Sequence, residues 1–158
     1  TPVRRHRLFD AGGSFFADAL QFFLSEYEAR GIVFDEIHVW EAMPQGREAY
    51  WRQVPVEVRR FWEPRLSFYD GVYVTAKRGR RNNPVSRIHK WCQPDDFCVF
   101  KLDIDHPKTE MRLVDQLLRF PNLTRRSLDE FFFEHHVAGL MQPKGWGGDV
   151  QGTFADSY

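Results

Sequence analysis

Apolar and polar positions along the chain switch between a period of two and a period near 3.6, and the switches mark the elements. "HRLFD", residues 6–10, is apolar at its centre and runs into "AGGS", which predicts a strand followed by a glycine turn. From Ser14 to Arg30, Phe15, Phe16, Ala19, Leu20, Phe22, Phe23, Leu24 and Tyr27 recur at helical spacing. Ser14 is placed to cap that helix and Gly31 to end it. "IVFDEIHVW", residues 32–40, is rich in β-branched and aromatic residues and predicts a second strand that ends at Glu41. Strand, helix, strand is a βαβ unit with a right-handed connection.

Residues 42–66 are less regular, with a short helix expected over residues 48–53. "LSFYDGVYVT", 66–75, predicts a third strand interrupted at Asp70-Gly71, and "KRGRRNN" after it is a basic loop. Asn83 and Pro84 suit the N-cap and first position of a helix to about Trp91. "FCVFKLDI", 97–104, predicts a fourth strand, "KTEMRLVDQLLRF" an amphipathic helix, and "LDEFFFEHH", 128–136, a fifth strand. The alternation predicts an α/β fold with a mostly parallel sheet covered on both faces.

Length and charge narrow the function classes. A chain of 158 residues fits one domain spanning 1–158. Lys plus Arg equals Asp plus Glu at 22 each, so no global field draws the protein to nucleic acid or an anionic membrane. No stretch approaches the roughly 20 apolar residues of a membrane span, and the start lacks the apolar core of a secretory signal. Fifteen Phe and five Trp supply a core or an aromatic, partner-facing surface. Cys92 and Cys98 are too few for a disulfide framework, and Cys98 sits in an apolar run, so we expect buried, reduced thiols and a reducing intracellular compartment. The start at Thr1 and the helix-like beginning in "GDVQGTFADSY" are expected of a piece of a longer chain.

The candidate chemistry lies at strand ends, where open parallel sheets bind ligands. Asp10-Ala11-Gly12-Gly13-Ser14 follows the first strand, and its glycines allow close backbone approach to a ligand. Glu41 ends the second strand, placed to accept ribose hydroxyls. The fourth and fifth strand ends carry Asp103, Asp105 and His106, then Glu134, His135 and His136, which suit a general base, a substrate clamp or cation ligands. Strict alternation puts Asp103 and Asp105 on one face, and Glu134 with His136 on one face. The basic stretch Lys77, Arg78, Arg80, Arg81 reads as a solvated loop.

"LFDAGGS", "HVWEA", "VFKLDIDHP" and "FFFEHH", in that order, resemble the FkbM-type family of S-adenosylmethionine-dependent methyltransferases over roughly residues 7–137. The resemblance implies a Rossmann-like, doubly wound sheet of the class I methyltransferase type, lacking its last strands in this chain. It implies that Asp10, Gly12 and Gly13 hold the methionine portion of S-adenosylmethionine, Glu41 the ribose and Asp70 the adenine edge. Lys101, Asp103 and Asp105 match the family's K-x-D-x-[DE] element, and Glu134 with His136 its late E-x-H. With His106, these carboxylates and histidines would act on the acceptor, a hydroxyl or carboxyl of a small molecule or saccharide. Phe15-Phe16 stand where the family's turn has a further glycine, and His106-Pro107 follow Asp105 in place of its glycine.

Two other functions fit the same residues. Asp103-Ile104-Asp105 also reads as the D-x-D of a metal-dependent glycosyltransferase. Alternatively, the domain is a non-catalytic subunit that keeps the fold. The latter predicts that Phe side chains plug the space between Gly12, Gly13 and Glu41.

Overall fold

The computed structural model describes residues 4–134. Its centre is a five-stranded, all-parallel sheet in the order β3-β2-β1-β4-β5. The strands are β1 His6–Ala11, β2 Glu36–Glu41, β3 Leu66–Asp70, β4 Phe97–Leu102 and β5 Glu130–Phe133. Between β1 and β2 come a π-helical turn, Phe16–Leu20, and α1, Gln21–Glu28. α2 (Arg47–Tyr50), α3 (Val56–Trp62) and a 3-10 turn (Glu63–Arg65) link β2 to β3. α4 (Pro84–Trp91) precedes β4, and α5 (Pro107–Arg119) and α6 (Pro121–Ser127) lie between β4 and β5.

Alternation along the strands divides the core into two layers. Leu8, Ile37, Val39 and Val99 face α1 to α3 and pack with Phe16, Leu24, Tyr50, Trp51 and Trp62. Phe9, Trp40, Phe100 and Leu102 face the other way, against Val85 and Ile88 of α4 and Leu113 and Leu117 of α5. The chain therefore winds outward from β1 along one face, crosses back after β3, and winds outward again along the other. This is a Rossmann-like doubly wound sheet whose switch point lies between β1 and β4. Beneath the opposite edge, the buried Arg7 guanidinium pairs with Asp96 and, at 2.9 Å, with Glu36, tying β1 to β2 and to the turn before β4.

The expected elements appear with physical corrections, beginning with β3 and β4, which stop at Asp70 and Leu102, short of the expected 75 and 104. The helix expected over 14–30 is broken: Asp18 departs from helical geometry, and Phe16 is fully buried, stacked 4.5 Å from Trp51. Ser14 caps nothing, because its hydroxyl donates to Glu41 Oε2 at 2.9 Å and Phe15 occupies the N-cap. β2 starts four residues later than expected, since Phe34 drops into the core and Asp35 Oδ2 accepts the His6 N–H at 2.8 Å. The cysteines are not free thiols: Cys92 and Cys98 form a disulfide that joins the end of α4 to β4. The basis for a reducing compartment goes with the thiols. By contrast, Asn83 caps α4 as its position predicts, accepting the Ser86 N–H at 2.9 Å ahead of Pro84. Among the described residues no helix is long and apolar enough to cross a membrane.

Candidate functional site

A cleft of about 740 Å³ opens at the carboxyl ends of β1, β2 and β4, beside the switch point. Its floor begins with Asp10, the penultimate residue of β1, whose register partners are Val39 and Lys101. By alternation all three share the face of the sheet that packs on α1, where Val39 belongs to the core. Lys101 Nζ lies 3.1 Å from Asp10 Oδ1 and 3.4 Å from Asp103 Oδ2. Asp10 is 1% exposed, and its second oxygen, Oδ2, has no hydrogen-bond partner among the described residues. Burial pushes the Asp10 carboxyl up, against the opposing pull of Lys101. Burial also lowers the Lys101 ammonium, but the charges of Asp10 and Asp103 outweigh it and leave the ammonium above its ordinary value.

The glycine turn is shaped by the fold before any ligand. Gly12 has φ +99°, and a Cβ there would lie 1.6 Å from the Asp103 carbonyl oxygen. A Cβ on Gly13 would lie 2.3 Å from Val39 Cγ1 and 2.8 Å from Asp10 Oδ2. The N–H groups of both glycines donate to the Trp40 carbonyl, at 2.9 and 3.2 Å. The missing side chains let Asp103, Val39 and Asp10 close on the turn.

Glu41 closes the cleft on the β2 side. Oε2 accepts from Ser14 Oγ at 2.9 Å and Oε1 from the Met43 N–H at 2.7 Å. A carboxylate has about four lone-pair directions, so each oxygen retains acceptor capacity. On the β4 side, the strand ends at Leu102, so alternation does not extend to Asp103 and Asp105. Asp105 instead takes a left-handed conformation, φ +53°, in the loop to α5. His106 caps α5, its Nδ1 accepting the Thr109 N–H at 3.2 Å. With Nδ1 accepting, Nε2 is the ring nitrogen left to donate.

Asp10, Gly12, Gly13, Glu41, Asp103, Asp105 and His106 thus meet around one cleft. Asp70 lies outside its lining, and its two oxygens accept the N–H groups of Gln45 and Gly46 at 2.9 Å each. Glu134 is exposed beyond β5 and does not line the cleft, while His135 and His136 lie outside the described residues. Three contributors escaped the sequence pattern. Asp18 reaches the lining through the break at its own position, and Met43 and Tyr73, 67% and 68% exposed, stand among the lining residues. Only the sequence position of Asp18, inside an apolar helical stretch, hinted at such a role.

The lining is electrostatically one-sided. Among the described residues it carries five carboxylates, Asp10, Asp18, Glu41, Asp103 and Asp105, against the single ammonium of Lys101. Such a surface favours ligands with positive charge or many hydroxyl donors. Among the described residues no three His, Cys, Asp or Glu are grouped to hold a metal ion. Lys101 already supplies a cation beside Asp103. Nor is the cleft plugged: Phe16 turns into the core, and Phe15 lies at the lining under Arg52, 4.4 Å from its guanidinium carbon. Set beside protein-family models, curated proteins and solved structures, the chain matches none.

Proposed function

We propose that this domain binds S-adenosylmethionine in the cleft and transfers its methyl group to a hydroxyl or carboxyl of a small molecule or saccharide. The observation that carries the reading is Asp10: a buried carboxylate on the floor of a switch-point cleft, with one oxygen held by Lys101 and the other without a partner among the described residues. An unpartnered buried acceptor is costly, and the α-ammonium of the methionine portion is a donor that would relieve it. Gly12 and Gly13 line the cleft at the same end. Glu41, at the end of the next strand, keeps lone pairs for the ribose hydroxyls.

S-adenosylmethionine supplies an electrophilic methyl group on a sulfonium. The protein's part is to orient the acceptor oxygen and take its proton. Asp103, Asp105 and His106 stand at the cleft as the groups to take that proton. The excess of carboxylates favours a hydroxyl acceptor over an anionic carboxyl one.

Isothermal titration of S-adenosylmethionine and its demethylated product into the whole chain tests the reading. We expect micromolar affinity, about −8 kcal/mol, and a loss of at least about tenfold in Glu41→Ala. Circular dichroism checks that the variant is folded. Absence of heat from either ligand, in folded wild-type protein, overturns the proposal.

A further inference from the structure

The wall of the cleft formed by residues 103–106 is a short loop that carries three polar side chains through an unusual path. Asp105 adopts a left-handed conformation, which Asp tolerates better than most residues with a side chain. The loop's entry is fixed by the Asp103 N–H bonding the Ala11 carbonyl at 2.9 Å, and by the contact with Gly12 that admits no side chain. Its exit is fixed by His106 capping α5. Its middle is held by a residue that does not line the cleft. Glu110 is only 1% exposed, and its Oε1 accepts the Ile104 N–H at 2.9 Å.

A backbone N–H enclosed in a loop needs an acceptor, and the Glu110 side chain supplies it from the first turn of α5. We propose that Glu110 is the positioning residue of the cleft: it holds Ile104, and through it sets the directions of Asp103 and Asp105 on either side. What those two do is taken from the methyl-transfer reading, but the positioning itself is measurable without it.

The test uses the whole chain as wild type, Glu110→Gln, Glu110→Ala and Glu110→Asp, with two readouts. The first is amide hydrogen exchange at Ile104, compared with Val99 and Phe100 in β4. Glu110→Ala, or Glu110→Asp if the alanine variant does not fold, should accelerate Ile104 by about tenfold or more while the strand amides change by less than about twofold. Glu110→Gln keeps an acceptor of the same reach and should stay within about threefold of wild type. The second readout is titration with S-adenosylmethionine, whose affinity should fall in the variants that release Ile104 and persist in Glu110→Gln. Unchanged Ile104 exchange, or equal acceleration of Ile104, Val99 and Phe100, overturns the assignment, the latter because it reports global loss of stability alone. If wild type binds no S-adenosylmethionine, the functional reading fails, and the exchange data still decide the role of Glu110.

Discussion

Lys101 and Asp10 place two opposite charges where solvent hardly reaches, with side chains 11% and 1% exposed. Removing one partner of such a pair leaves the other charge uncompensated. Lys101→Met should therefore cost about 3 kcal/mol at pH 7 by urea unfolding. The dependence on pH identifies the cause. Burial already raises the Asp10 carboxyl above its unfolded value, and loss of Lys101 removes the main opposing pull. A carboxyl raised on folding binds its proton more tightly in the native state, so stability grows as pH falls through the native value. The deficit of Lys101→Met should thus shrink between pH 7 and pH 5, and Lys101→Met with Asp10→Asn should lose less than Lys101→Met alone. An equal deficit at both pH values would clear Asp10 of responsibility. Asp10 and Glu41 were legible as candidates because strand ends before a glycine turn or a loop are visible in one dimension. The pairing of Lys101 with Asp10 was not, since it depends on β4 lying beside β1, a choice of strand order that no local pattern encodes.

Elements were legible where a local device sets them. Asn83 and Pro84 start α4 as their chemistry requires, and the acid-ended strands β1 and β2 lie within a few residues of expectation. They were less legible where tertiary packing overrides periodicity. The apolar stretch from Phe15 to Tyr27 has one helical pattern, yet burial of Phe16 against Trp51 breaks it at Asp18 and delivers that carboxylate to the cleft. The cysteines show the same limit: a separation of six residues says nothing until the turn after α4 brings them to a Cα distance of 6.5 Å. Closing so short a loop constrains the unfolded chain by about 2 kcal/mol. Reduction should lower stability by about that amount in urea unfolding and leave the circular dichroism spectrum below the transition unchanged. The two cores on either side of the sheet do not need the link to form. An unchanged unfolding midpoint after reduction, with two thiols titrating in denaturant, would contradict this estimate.

At the scale of the whole molecule, charge is balanced and its distribution is not. The chain has 22 basic and 22 acidic residues, so its far field is weak. Among the described residues the lining nonetheless gathers five carboxylates and one lysine beside the switch point, because parallel strands end on the same edge and the break at Asp18 adds a carboxylate to those at or just after the ends of β1, β2 and β4. Local potential, rather than net charge, then governs what enters. A ligand bearing a sulfonium and an ammonium should feel it at short range, whereas a neutral sulfur in the same position should feel it less. Raising salt from about 0.05 M to about 0.5 M shortens the screening length from about 14 Å to about 4 Å. The affinity for S-adenosylmethionine should fall by about fivefold over that range, with a smaller loss for the demethylated product. The melting temperature should move little, because the balanced surface has no net self-repulsion to screen. Salt-independent binding would place the ligand away from the carboxylates, and equal salt dependence for both ligands would assign the attraction to their common ammonium at Asp10 instead of to the sulfonium.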